Sequence, residues 1–450
     1  MNSILLVQQY LGKNNEVGPI FPIGLAYLAT AIQHTNWEIK VLDMNVCENP
    51  YETLSKTMES YVPTVVALSI RNIDNVDYEE FNYFYLEIGK IINSIKRHKC
   101  ILVVGGAGFT IFAKEIFERN HIIDYGIVQE GEETIVELLN CIENDLPVSG
   151  VQGVYYRDKE GSIHFSGLRP PIDFSKSEMP NRDFFEIEKY FHPLCVGVQT
   201  KRGCSLKCSY CTYPYLNKHT ERFRLPSDVV DEIEHLKNKY GVEEIIFCDD
   251  IFNVPQKHCL SIINEIIERK IKIKWSAWFD VANTDIDLLR LAVKSGCYRF
   301  CFSIEGVTNN TLKALNKNFN TTQVNKLIRL CGLKEFGNID FRFSLFAMPP
   351  KQSMWGMIKT ITMVLKTHVI RKNSKCLVSW IRIFPNTELY TQLLNKEIEL
   401  LPNEISKKSK SQLFYHPSYP KTIVNVYKKI LDMITSLRIA RKKIGLVLSK

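Results

Sequence analysis

The sequence predicts an α/β protein: a doubly wound, Rossmann-like domain, then a partial (β/α)6 TIM barrel, then a basic and mainly helical tail. Three observations predict it. Short apolar strands alternate with helical stretches over the first 148 residues. The alternation pauses and then resumes at Cys195, with six strand cores. Finally, residues 407–450 carry eleven Lys or Arg against one acid, Asp432, out of a net charge of +8 for the whole chain. The expected boundaries are 1–148, a linker over 149–194, the barrel over 195–395, and the tail over 396–450.

In the first domain, Ile4–Val7, Glu38–Leu42, Val65–Ser69, Cys100–Val104 and Tyr125–Val128 read as strands. Leu25–His34, Phe81–Arg97 and Thr134–Ile142 between them read as helices. Strands alternating with helices argue a parallel sheet covered on both faces. Such a sheet binds ligands at the carboxyl ends of its strands. Three glycine-bearing turns stand out there, at Gly24, at Gly105-Gly-Ala-Gly108 and at Glu130-Gly-Glu132. Each is compatible with a tight turn as well as with a ligand contact. The polar run Ser69-Ile-Arg-Asn-Ile-Asp-Asn75 divides the same way, between lining a ligand and favouring a turn.

The linker holds an expected hairpin at Val154–Gly161 and proline-punctuated connections. The six barrel strand cores are Val196–Thr200, Glu244–Cys248, Lys272–Trp278, Arg299–Ile304, Asp340–Ala347 and Leu377–Phe384. Strand–helix repeats of this kind put chemistry on loops at the carboxyl ends of the strands. In the tail, Ile423–Leu448 reads as one or two amphipathic helices with a solvated basic face.

Composition sets the class. Hydrophobic residues make 45% and charged residues 24% of the chain, ordinary for a globular protein. The start, Met1-Asn-Ser-Ile-Leu-Leu-Val, reads as a strand rather than a signal peptide, and no apolar run approaches the ~20 residues of a membrane span. Thirteen cysteines without secretory features read as reduced thiols and metal ligands in the cytoplasm. Aromatic residues are sparse in the tail, so nucleic acid is not an expected partner.

Cys204, Cys208 and Cys211 lie in Thr200-Lys-Arg-Gly-Cys-Ser-Leu-Lys-Cys-Ser-Tyr-Cys-Thr, directly after the first barrel strand. Three thiolates leave one iron of a [4Fe–4S] cluster open. A closed zinc site normally takes four ligands. Cys248, Cys297, Cys301 and Cys376, on or beside barrel strands, read as core.

The loop resembles that of radical S-adenosylmethionine enzymes, and the likeness covers about Val196 to Tyr390. It implies that Cys204, Cys208 and Cys211 hold a [4Fe–4S] cluster whose open iron binds S-adenosylmethionine. The cofactor is then split to a 5′-deoxyadenosyl radical. By the same resemblance Tyr210 contacts adenine, Asp249 and Asp250 face the ammonium group, Ser303 and Glu305 face ribose or substrate, and Arg342 faces a carboxylate. In the first domain, Gly18–Leu28, Gly105–Phe109 and Gln129–Glu133 run in the order found in cobalamin-binding domains of radical enzymes. That resemblance implies cobalamin held near Gly24, Ser69, Gly105, Gly106, Gly108, Gly131 and Glu132. The D-x-H-x-x-G motif with a cobalt-ligating histidine is absent. His34, His98 and His121 fall in or near helical segments and read as ordinary surface or core residues.

Together the two resemblances imply a cobalamin-dependent enzyme that methylates an unactivated carbon of a small metabolite or natural-product precursor. The alternative on the same scaffold is rearrangement, cyclisation or transfer of another group. A transfer-RNA methylthiotransferase is disfavoured, since the first domain holds only Cys47, Cys100 and Cys141 and the tail is not β-rich. A non-catalytic iron–sulfur sensor lacks a use for the acids and for Ser303 and Glu305. The resemblance also implies an electron donor such as flavodoxin or ferredoxin.

Overall fold

The computed structural model describes residues 2–12, 18–78, 80–218, 220–370, 374–395, 414–415, 419–420 and 422–434. They form two compact units. The first comprises the chain up to Gly203 with Thr212–Ile246; the second comprises Cys204–Cys211 and the described residues from Phe247 onward.

In the first unit the order is β1 (Ser3–Gln8), α1 (Ile23–Ile32), β2 (Glu38–Asp43), α2 (Pro50–Tyr61), β3 (Val65–Ser69), α3 (Tyr85–Ile95) and β4 (Ile101–Gly105). There follow α4 (Ala107–Ile111), α5 (Ala113–Arg119), β5 (Tyr125–Ile127), α6 (Glu132–Glu143), β6 (Val154–Arg157) and β7 (Ile163–Phe165). The strands lie in the order β2-β1-β3-β4-β5-β6-β7. The first five are parallel and the last two antiparallel. Ile4, Leu5, Leu6 and Val7 are wholly buried because a parallel strand is covered on both faces, which is why it reads as an unbroken apolar run. Leu25, Ala29 and Ile32 of α1 pack with Ile135, Leu138 and Leu139 of α6 on one side. Leu54, Met58, Ile88, Ile92 and Phe117 cover the other. The order 2-1-3-4-5 reverses between β1 and β3, and that switch point is where doubly wound sheets bind ligands.

The expected hairpin is real, and it extends this sheet rather than spanning a free linker. The residues after it are also tied down. Arg182, fully buried, pairs with Glu232 at 2.7 Å, and Arg224 holds the other oxygen of Glu232. The first unit continues through β8 (Gly197–Val198), β9 (Lys201–Arg202), α7 (Tyr213–Asn217), β10 (Arg222–Phe223) and α8 (Pro226–Tyr240). β9 and β10 form an antiparallel ribbon. α8 opens on a proline and ends at Gly241 (φ +74°), the residue order helix termini favour.

β11 (Glu244–Phe247) lies at the boundary of the units. The second unit runs α9 (Gln256–Glu268), β12 (Lys274–Phe279), α10 (Ile286–Lys294), β13 (Cys297–Glu305), α11 (Asn309–Ala314) and α12 (Thr321–Cys331). It continues with β14 (Asp340–Phe346), α13 (Met354–Ile370), β15 (Lys375–Ser379) and α14 (Glu388–Leu394). β12, β13, β14 and β15 pair in turn and all parallel. Their two-residue period sorts the side chains. Phe279, Phe300, Phe302, Phe341 and Phe343 stack on one face with ring centroids 4.8–6.4 Å apart. Arg299, Cys301, Ser303, Asp340, Arg342 and Ser344 share the other.

The fold class is as expected, α/β with parallel sheets in both halves. Strands occupy all six expected positions after Cys195, but the last is Lys375–Ser379 rather than Leu377–Phe384, since Trp380–Phe384 leaves the sheet. Cys297, Cys301 and Cys376 are buried, whereas Cys248, expected in the core, is exposed. It follows β11 and faces solvent as the strand ends. Residues 422–434 are helical; the rest of the expected tail helix lies outside the described residues.

Candidate active site

The cysteine loop, Cys204–Cys211, belongs to the second unit and is fastened there by its backbone. The Ser209 N–H donates to Leu315 O at 3.1 Å, and its hydroxyl to Ala314 O at 3.1 Å. The Leu389 N–H donates to Ser209 O at 2.7 Å, and the Asn316 amide to Lys207 O at 2.7 Å. The Cys211 N–H closes a turn on Cys208 O at 3.1 Å, so the C-x2-C spacing is one turn of chain. Cys204 is buried; Cys208 and Cys211 are half-buried. Among the described residues no disulfide forms, and no three His, Cys, Asp or Glu side chains converge as one ion would require. Thiolates on a cluster each ligate a different iron. The donor set, three thiols on one anchored loop, matches the three protein ligands of a cluster with one open iron.

Beside the loop, Tyr210 meets Phe346 edge-on at 4.8 Å, and its hydroxyl accepts from Lys317 Nζ at 3.0 Å. The same ammonium donates to Ser303 O at 3.0 Å. Burial, then the charge of Glu305, pushes the Tyr210 phenol well above its ordinary range. Glu305 ends β13 at φ +65°, where the pairing with β14 skips a residue. It is 4% exposed. Burial raises its pKa above the ordinary carboxylate value, against the opposing pull of Lys317 and hydrogen bonds from Ser344 and Ser303. One of its oxygens, Oε2, is buried with no hydrogen-bond partner. An unpaired buried carboxylate oxygen and a left-handed non-glycine backbone are both costly, and they coincide at one residue.

The structure brings Tyr210, Ser303 and Glu305 together through Lys317. Asp249, buried, and Asp250, half-buried, follow β11 at its carboxyl end. Arg342 is placed otherwise. Its Nε and Nη2 donate to Asp340 Oδ2 at 2.9 and 2.7 Å, beside Arg299 at 2.8 Å. Asp340 sits two residues earlier on the same strand face, so period two delivers it to Arg342 and occupies the guanidinium. That cluster lies toward the amino ends of the strands, away from Glu305. Lys317, the hub of the group, was not identified from the sequence; it lies in the run Asn316-Lys-Asn318 with no motif around it.

In the first unit, Ser69 ends β3 at the switch point, where its carbonyl accepts from the Gln9 N–H at 3.1 Å. Gln9, buried after β1, accepts from the Arg71 N–H at 3.0 Å and donates to Asn72 O at 2.8 Å. This stitch shapes the 69–75 turn and also escaped the sequence reading. The glycines divide. A Cβ on Gly24 would meet nothing within 4 Å, and one on Gly105 only ordinary contacts. Gly106 (φ +96°) and Gly108 are required by the chain itself, since a Cβ would lie 2.6 Å from Ile70 O and 2.9 Å from Arg71 O. Gly24 thus leaves room at the start of α1, whereas Gly106 and Gly108 shape the carboxyl edge of the sheet.

The Gln129–Glu132 turn is engaged by the strands that flank the cysteine loop. Glu130 pairs with Arg202 at 2.8 Å and with Arg222 at 2.6 Å, and Glu132 pairs with Arg202 at 2.6 Å. The Arg202 guanidinium also lies 4.8 Å from the Tyr27 ring and 4.4 Å from that of Phe174. Although burial pushes the Glu130 carboxyl up, Arg202 and Arg222 hold it below the ordinary range. Glu132, expected at a cofactor, is a strut of this cage. Gln129 (φ +63°) reaches Tyr215 O at 3.1 Å, four residues past Cys211.

The B12 binding domain family matches residues 15–139, and the radical SAM superfamily matches residues 198–363. Cytidylyl-2-hydroxyethylphosphonate methyltransferase of Streptomyces wedmorensis is 24% identical over 386 residues, spanning 73% of this chain and 69% of its own length. Anaerobic magnesium-protoporphyrin IX monomethyl ester cyclase of Cereibacter sphaeroides is 26% identical over 322 residues, 69% of this chain and 51% of that protein. Among solved structures, the radical S-adenosylmethionine methyltransferase TsrM from Kitasatospora setae, with cobalamin and a [4Fe–4S] cluster bound, superposes with a TM-score of 0.76. It is 20% identical and covers 88% of this chain and 75% of its own.

Proposed function

Because the chain belongs to the cobalamin-binding radical S-adenosylmethionine enzymes, we propose that it methylates an unactivated carbon of a small metabolite or natural-product precursor. The observation that carries the reading is the cysteine loop. It offers three thiols for four irons, on a segment anchored at Lys207 and Ser209, in a chain that also bears a B12-binding domain. When bound, the cluster and S-adenosylmethionine supply a hydrogen-abstracting radical, and cobalamin supplies the methyl group.

The chain's own residues do the rest. Cys204, Cys208 and Cys211 would hold the cluster. Tyr210 offers an aromatic face and a hydroxyl fixed by Lys317. Glu305, with one oxygen unpaired, and Ser303 offer acceptors to the cofactor's hydroxyl or ammonium groups, and Asp249 and Asp250 add charge after β11. Gly24, Ser69 and Gly105 would admit the corrin; Gly106, Gly108, Gly131 and Glu132 hold the edge that receives it. Arg342 is left out of this set, since Asp340 already occupies it. Reduced thiols throughout fit a cytoplasmic setting and a one-electron donor such as flavodoxin or ferredoxin. Among the described residues no helix is long and apolar enough to cross a membrane.

A second reading, ring formation without methyl transfer, draws on the cyclase relative. Product analysis separates the two. Methyl transfer gives both S-adenosylhomocysteine and 5′-deoxyadenosine from S-adenosylmethionine during anaerobic reduction with candidate substrates. The second reading gives 5′-deoxyadenosine alone.

A further inference from the structure

Between Glu305 and Glu388 the sequence holds thirteen Lys or Arg and two acids, Glu335 and Asp340. Both acids are engaged, Glu335 by Arg290 and Asp340 by Arg299 and Arg342. The stretch is therefore strongly positive. Beside it the second unit opens a cleft of about 370 Å³, lined among others by Lys313, Asn316, Lys351, Glu388, Gln392 and Tyr415. Lys313, Asn316 and Lys351 are exposed, and so is Lys207 on the cysteine loop. Among the described residues Glu388 is the one carboxylate in the lining.

The cleft abuts the cysteine loop. Asn316 donates to Lys207 O, and Ala314, also in the lining, accepts from the Ser209 hydroxyl. Leu389, next to Glu388, donates to Ser209 O. Residues 207 and 209 flank Cys208, so one hydrogen bond and two to four covalent bonds separate these groups from that cysteine's backbone.

We propose that this cleft is the docking surface for an acidic one-electron donor protein. The proposal rests on the reading of the loop as a cluster site. In the step it serves, the partner's redox group is oxidised by one electron and the metal group on the loop is reduced by one; no bond is made and no proton moves. Opposite charge on the two surfaces steers encounter and fixes orientation. A concave wall suits a protruding protein edge better than a flat anionic bilayer. The lysines sit at the rim, so they act on association more than on the chemistry within.

The test uses the full-length, cluster-reconstituted protein and its Lys313→Glu/Lys351→Glu variant, with an acidic flavodoxin as probe. Binding of oxidised flavodoxin is measured by fluorescence anisotropy at low and at physiological salt. Bleaching of the iron–sulfur absorbance is then followed with reduced flavodoxin and, separately, with dithionite. The expected result is binding weakened about tenfold or more at low salt, with a flatter salt dependence. Bleaching by flavodoxin slows in proportion, and bleaching by dithionite does not change. Unchanged flavodoxin binding overturns the proposal. So does a variant that loses only its binding to phosphatidylglycerol vesicles, which would make the face a lipid surface. Absence of any bleachable iron–sulfur absorbance in the unaltered protein overturns the cluster reading itself, an outcome distinct from either.

Discussion

Two glutamates of this chain, Glu130 half-buried and Glu305 buried, have opposite surroundings. Glu130 has both oxygens engaged by Arg202 and Arg222, and its carboxyl is held below the ordinary range. Glu305 has one oxygen without a partner, a left-handed backbone, and a carboxyl pushed up by burial. A satisfied charge in a rigid cage is a structural brace. A carboxylate with one oxygen unpaired, kept at a cost, can take an interaction that the fold does not itself supply. The contrast sorts the remaining candidates: Arg342 and Glu132 fall with Glu130, whereas Glu305 stands apart with the cysteines proposed to hold the cluster.

The largest expected effect is on the side of Glu305 and the cysteines. Cys208→Ala removes one of the three proposed iron ligands and is expected to abolish cluster binding and 5′-deoxyadenosine release, with the first unit still folded. Iron content and circular dichroism check this, and a variant that still cleaved S-adenosylmethionine would return the loop to an ordinary turn.

Next is the braced side. Glu130→Ala strands two arginines whose side chains are about nine-tenths buried, and the expected cost is about 3–5 kcal/mol in denaturant unfolding. Because the Glu130 pKa is depressed on folding, its contribution is present above the ordinary carboxylate range. It is lost as pH falls through the folded value. A variant as stable as the parent at neutral pH would break the comparison.

Glu305→Gln is expected to act with the opposite sign of pH dependence. A carboxyl raised on folding contributes stability below its ordinary range, and this is lost as pH rises through the raised value. The cofactor-free protein should therefore lose up to about 1.4 kcal/mol per pH unit in that window from this group. The Gln variant should lack that slope and should also bind S-adenosylmethionine more weakly, as titration calorimetry would detect. An unaltered slope would place Glu305 with the braces.

The smallest effect belongs to Arg342→Ala. Asp340 keeps Arg299, so the loss should be about 1 kcal/mol or less, and S-adenosylmethionine affinity should not move. Weakened cofactor binding would contradict the placement of Arg342 with the braces.

Much of this was legible in the sequence because periodicity and spacing are local. The unbroken run Ile4–Val7 announces a buried parallel strand, and Cys204, Cys208 and Cys211 announce a metal loop before any fold is known. The rest depends on pairing across long separations. Nothing near Glu132 signals Arg202, seventy residues on. Nothing in Asn316-Lys-Asn318 signals that Lys317 will meet Tyr210. For Arg342 the partner is only two residues away, and the strand's period of two puts Asp340 on the same face. Gly106 and Gly108 carry a similar lesson: their backbone approaches the Ile70–Asn72 turn rather than leaving space.

The central claim is that one chain carries both a cluster loop and a cobalamin domain in working order. Its most direct test is the iron and cobalt content per chain after anaerobic cluster reconstitution, incubation with hydroxocobalamin and gel filtration. About four irons, as one [4Fe–4S] cluster requires, together with stoichiometric cobalt is the predicted result. The same iron with no cobalt would contradict the account, leaving the first unit without its cofactor and methyl transfer without its carrier.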